Sequence, residues 1–202
     1  MEPLYSYRAL GIENPQTGPK TASTLFQAGE WLEYSSGLLL PLAPATGVVG
    51  LNLTPVPSTD ATTNLITFDG INSTEDRFTM PLANKITYTV VTGVFQVGDI
   101  VTGGTSGAKG KVVKYTATTH IWVVAYSGVF SVGETITGSV STATGTVGAV
   151  TAIASSNIGQ SADIAGDSIS LDVDNIGSGT QFTITKVISS TRVEVAVTKL
   201  LL

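Results

Sequence analysis

The chain has 202 residues, 42% apolar and 12% charged, with a formal net charge of −5; that is enough apolar material to bury one sizeable core or two small ones, which excludes wholesale disorder. Ten Lys and Arg residues are spread thinly, so no basic stripe faces a phosphate backbone and nucleic acid is not an expected partner. Cysteine is absent, which excludes disulfides, thiolate metal sites and a cysteine nucleophile.

Residue usage leans to Thr, Val, Gly, Ser and Ile, types that suit pleated strands and tight turns, and predicts an all-β fold. The first 50 residues read as an extended N-terminal arm followed by turn-rich strands, because Gly11, Pro15, Gly18, Pro19, Gly29, Gly37, Pro41, Pro44 and Gly47 leave no long helical window. Residues 22–28 alone could form a short helix. Tyr5, Tyr7 and Leu10 in the arm, with Trp31 beyond it, are candidate assembly contacts, since aromatic residues are enriched at interface cores. Trp31 also reads as a core anchor, together with Phe95, Trp122 and Phe130. The longest apolar run, Gly37-Leu38-Leu39-Leu40-Pro41-Leu42-Ala43-Pro44, is far shorter than the roughly 20 residues that cross a bilayer, so no membrane span is expected. The N-terminal residues show no cationic stretch leading into an apolar one, so a secretory signal is not expected either.

Further along, Ile86, Tyr88 and Val90 alternate with Lys85, Thr87 and Thr89, the period of a half-buried strand. The same alternation predicts strands at Ile169, Leu171 and Val173 and at Val193, Val195 and Val197. A strand over 182–188 joins the last of these through Ser189-Ser190-Thr191, so the C-terminus reads as a β-meander. Between them lies an internal repeat at a spacing of 35 residues. Gly93-Val94-Phe95-Gln96-Val97-Gly98-Asp99-Ile100-Val101-Thr102-Gly103 matches Gly128-Val129-Phe130-Ser131-Val132-Gly133-Glu134-Thr135-Ile136-Thr137-Gly138, and Ser106, Ala108, Gly110 and Val112 match Ser141, Ala143, Gly145 and Val147. Each copy spells a tight turn at the Gly-acid pair, a short strand, a polar turn and a second strand. Two copies flanking the apolar strand 121–126 predict a small barrel or sandwich over 91–153, inserted into a β-sandwich or barrel-like domain made of 1–90 plus 154–202.

Reactive constellations are sparse. The loop Gly103–Lys111 departs from a phosphate-binding G-x-x-x-x-G-K-[ST] at its first glycine and its hydroxyl, and reads as a hairpin turn. His120 is the one histidine, with no G-x-S-x-G elbow to serve, and reads as a strand-end residue. Asp172 and Asp174 could ligate Ca²⁺ but are explained by alternation on a wet strand face. The acidic pairs Glu30/Glu33 and Glu75/Asp76 suggest no glycosidase by spacing alone. No catalytic residue, metal or cofactor is therefore expected, and the chain does not read as an enzyme.

The twinned G-V-F-x-V-G-[DE]-x-[VI]-T-G element with its S-x-A-x-G-x-V continuation resembles β modules of tailed-phage structural proteins. The arm, Ala28-Gly29-Glu30-Trp31-Leu32-Glu33, Gly47-Val48-Val49-Gly50 and the late strands resemble capsid decoration proteins, also called head cement or auxiliary capsid proteins. The resemblance implies a virion protein at the capsid surface, made in a host cytoplasm, that binds the major capsid protein as a homo-oligomer, by preference a trimer, and stiffens the shell. Tail fibre, tail tube or baseplate components, including ones that bind a host surface, carry similar repeats and form the alternative.

Overall fold

In a computed structural model that describes residues 7–10, 15–44, 46–71, 76–116 and 118–198, the chain is all-β: 52% is strand and 3% helical, the helical part being two 3-10 turns. Tyr7–Leu10 (β1) comes first. Pro15–Pro19 (β2), Trp31–Ser35 (β3), Leu38–Pro41 (β4), Gly50–Asn52 (β5) and Leu65–Gly70 (β6) then form an antiparallel sheet in the order β2-β6-β5-β3-β4. A parallel bridge from Lys20 to Leu39 draws its two edges together. Phe26, Leu32, Leu39, Val56, Ile66 and Phe68 fill that sheet's own small core.

Arg77–Thr92 (β7) is the spine of the molecule, 16 residues long and therefore about 50 Å at 3.3 Å per residue. Ile100–Gly103 (β8), Lys109–Thr116 (β9), His120–Ser127 (β10), Thr135–Gly138 (β11), Thr144–Val150 (β12), Ser161–Ala162 (β13), Leu171–Asp172 (β14), Phe182–Ser189 (β15) and Arg192–Val197 (β16) follow it. The first half of β7 pairs with β1 on one side and β16 on the other, and β15 and β13 continue that sheet. From Ala83 onward the same strand pairs with β10 and β12 instead. The circuit β7-β10-β9-β8-β11-β12 returns to β7 and closes a six-stranded barrel. The other described residues form a body on the other half of β7, cored by Trp31, Leu51, Phe78, Met80, Leu82, Phe182, Ile184, Val193 and Val195 among others.

Barrel closure follows the repeat. Strands 35 residues apart correspond: the second half of β7 with β10, β8 with β11, β9 with β12. Pairing of β9 with β10 is mirrored by β12 with β7, and β8 with β9 by β11 with β12. The two remaining pairings, β7 with β10 and β8 with β11, join each strand to its own counterpart. The barrel therefore has an approximate two-fold axis, and a closed barrel leaves no free edge for stray pairing.

Several local expectations are corrected. Residues 22–28 form turns, not a helix, because Phe26 is drawn into the core and bridges Val56 across the sheet. The strand expected across 169–173 shrinks to Leu171–Asp172, since the Asp172 carboxylate accepts from Asp174 N and caps a 3-10 turn over Val173–Asn175. β14 runs parallel to β7, so the late chain is a β15–β16 hairpin with a separate crossover rather than a continuous meander.

Candidate functional site

The repeat motif places one buried carboxylate in each copy, and the structure shows what the two acids do. Asp99 and Glu134, the acids of the two copies, are 1% and 4% exposed. Each reaches across the two-fold axis into the other copy's turn. Glu134 Oε2 accepts from Thr105 N (3.2 Å) and Ser106 N (2.9 Å), while Oε1 accepts from Ser131 N (2.6 Å) and Ser106 Oγ (2.8 Å). Asp99 Oδ1 accepts from Val140 N and Ser141 N, both at 2.9 Å, and Oδ2 from Gln96 N at 2.9 Å. The two serines turn back on their own chains: Ser106 Oγ accepts from Ala108 N and Ser141 Oγ from Ala143 N. Burial alone would raise both carboxyls, but the hydrogen bonds from the opposing turns and their own loops outweigh it and hold both below the usual carboxylate range. These are reciprocal latches.

The motif's glycines follow from the same packing. A Cβ on Gly103 would sit 2.5 Å from Glu134 Oε2, and one on Gly138 3.0 Å from Asp99 Oδ2. Gly98 and Gly133 take φ of +94° and +87°, the left-handed region that lets the tight turn present its acid. The loop after Gly103 is the expected hairpin turn, and its Thr105 and Ser106 N–H groups already hold an anion, the Glu134 carboxylate.

Trp122 faces outward from the barrel into a seam with the body, beside Ala83, Val113, Val124 and Ala165. The Lys114 and Lys85 ammonium groups lie 4.3 and 5.5 Å from its ring centroid. Lys114 pairs with Asp172 at 3.0 Å and Lys85 with Asp174 at 2.9 Å. Both aspartates weighed as calcium ligands are thus bound to lysines across the seam, and no cluster of three metal-ligating side chains occurs among the described residues. His120 Nδ1 hydrogen-bonds the Thr119 hydroxyl at 2.8 Å at the start of β10, 6.2 Å from the Trp122 ring.

Glu30 and Glu33 have separate tasks. Glu33 binds Ala43 N and the Thr46 hydroxyl on the surface. Glu30 is 2% exposed, and Oε2 accepts from Gln27 N at 2.8 Å while Oε1 is buried with no partner among the described residues. Burial, with the Asp167 carboxylate nearby, pushes its carboxyl up to about 8 against the opposing Gln27 hydrogen bond.

Of the candidate contacts, Tyr5 lies outside the described residues. Tyr7 and Leu10 belong to β1, whose backbone pairs with β7 of the same chain, Tyr7 opposite Thr79 and Leu10 opposite Arg77. Trp31 is 0% exposed and stacks edge-on against Phe78 and Phe182 at 4.9 Å each, so it anchors the core and presents no surface. The latches escaped sequence reading, although the acid, serine and glycine recurring at one spacing in both copies were the signal. No protein family, curated protein or solved structure matches the chain in comparisons with known proteins. Among the described residues, no helix is long and apolar enough to cross a membrane.

Proposed function

We propose that this chain is a virion structural protein of a tailed phage that adds to the outside of the capsid lattice and stabilises it, binding the major capsid protein as a homo-oligomer, by preference a trimer. The observation that carries this reading is the use made of the repeat. Its acids, serines and glycines are consumed in latches between the copies, which make a rigid barrel and leave no reactive group of the motif free. A scaffold of that kind is useful through the surface it offers. Incubating the protein with empty expanded shells of the phage that carries it, then imaging them, tests the reading. Stoichiometric density at lattice positions is expected, and shells left bare at saturating protein would refute it.

A tail or baseplate role, with the barrel meeting a host surface, is the second reading. It is favoured by Val91, Val94, Val97 and Val140, exposed by 59, 40, 59 and 74% on the segments at the end of the barrel remote from the body. Labelled protein localised to tails rather than heads in electron micrographs would favour it over the first.

A further inference from the structure

The two copies of the repeat present exposed valines at opposite ends of the barrel, and the two ends are not equivalent. β7 and its counterpart β10 run antiparallel, so the turn after β7 carries Val94 and Val97 to the remote end, while the turn after β10 leaves Val129 beside the Ser190–Thr191 turn of the body. At the remote end a second turn, over 138–144, adds Val140, and the end of β7 adds Val91; all four side chains are exposed. The residue that corresponds to Val140 in the other copy is Thr105.

The remote valines stand on a braced platform. The Thr92 and Thr144 hydroxyls hydrogen-bond each other at 2.9 Å, Ser139 Oγ accepts from Ile100 N at 3.0 Å, and Ser139 N donates to Ile100 O at 3.1 Å. Asp99 ties both turns to one carboxylate, Oδ2 accepting from Gln96 N and Oδ1 from Val140 N, which sets Val97 and Val140 side by side. A surface already held in one shape loses little freedom when something docks on it, and clustered exposed apolar side chains mark interaction sites.

The charge pattern indicates what docks there. No Lys, Arg, Asp or Glu occurs from 86 to 98 or from 135 to 162, and Asp99, the one acid of the two turns, is latched and buried. Contacts between unlike proteins take orientation and specificity from opposed charges, and this face has none to oppose. Threonine and serine hydroxyls both donate and accept, so a rim of them can pair with an identical rim, where a carboxylate or an ammonium would meet its like. In a chain of net charge −5, an uncharged face is where two copies approach without repulsion.

We infer that the remote end of the barrel is the contact between copies of this chain, the valines of one tip packing against the same tip of a second copy and the hydroxyls closing the rim. This deepens the homo-oligomer part of the proposed function and rests on it, but needs no capsid. Two turns make a small contact, so association is concentration-dependent.

Sedimentation velocity of the full chain over a concentration series tests it. The parent should associate reversibly in the micromolar range, and added sodium chloride should not weaken the association, since no ion pair is there to screen. Val97→Glu places an unpaired charge in the contact and should move the association midpoint to at least about tenfold higher concentration. Val132→Glu, the same motif position in the other copy, should leave it unchanged. Both sites are exposed, so melting temperatures should stay at the parent value; if Val97→Glu melts early, Val140→Glu replaces it. A parent chain that stays monomeric at every concentration overturns the inference, as does association unaltered in a folded Val97→Glu protein, equal loss in Val132→Glu, or dissociation by salt. Shells left bare by a chain whose association depends on Val97 refute the capsid reading and leave the contact standing. Shells decorated by a chain that is monomeric in solution and still bound as Val97→Glu refute the contact alone.

Discussion

Asp99 and Glu134 are the residues on which the barrel's geometry turns. Each replaces water around four donors, three in a turn that belongs to the other repeat and one in its own loop, so removing its charge leaves backbone N–H groups buried and poorly paired. Hydrogen bonds to charged groups are worth about 1.5 to 3 kcal/mol each, and neighbours compensate only in part. Asp99→Asn and Glu134→Gln are each expected to cost about 2 to 4 kcal/mol in urea unfolding. Because the two latches sit at opposite ends of the barrel, the double variant should be close to additive, whereas Asp99→Asn combined with Ser141→Ala should fall short of the sum. Additivity in the second pair would refute the latch. At this scale sequence reading recognised the acid in its motif but took it for a turn residue, because spacing along one copy is silent about a partner 41 or 42 residues away.

β7 is the element that ties the two halves together. It reads as ordinary alternation from Lys85 to Val90, and that alternation is genuine: Ile86 and Tyr88 point into the barrel. Earlier in the strand the burial is continuous from Phe78 to Asn84, as expected where both faces of a strand are covered. One strand serving two cores predicts that they unfold together. Leu82→Pro removes a backbone donor to Thr191 O midway between them and should cost about 3 kcal/mol or more. Calorimetry of the parent chain should show one transition, and hydrogen exchange in the variant should rise in both β9 and β15. Protection lost in the body while the barrel stays protected would show two independent units. The hairpin β15–β16 was legible because its partners are adjacent in the chain; the 3-10 turn at Val173–Asn175 was not, since an Asp that caps a turn and an Asp on a wet strand face look alike in sequence.

Across the whole molecule, opposing carboxyl populations set the response to pH. Asp99 and Glu134 have lowered folded-state pKa values, so their stabilisation is present above the ordinary carboxylate range and is lost as pH falls through the folded values. Glu30 is the reverse: with its carboxyl pushed up to about 8 from an ordinary 4.5, the folded state binds the proton more tightly than the unfolded chain. Its contribution is complete below about 4.5 and is lost as pH rises toward 8. Stability should therefore peak in mildly acidic solution and decline on the order of a few kcal/mol toward pH 8. Glu30→Gln, which keeps the shape and removes the titration, should flatten the alkaline limb in melting curves recorded from pH 5 to 9. A decline that persists in the variant would assign it to another group.

Composition and period alone determined that this is a β protein with a duplicated module, since strand propensity and a repeat at fixed spacing are properties of the chain itself. The tertiary structure decided which strand completes the barrel, that the repeated acids cross between copies, and that Trp31 belongs to the core. Those outcomes depend on contacts between residues distant in sequence, where burial and hydrogen bonding override what any local pattern can encode.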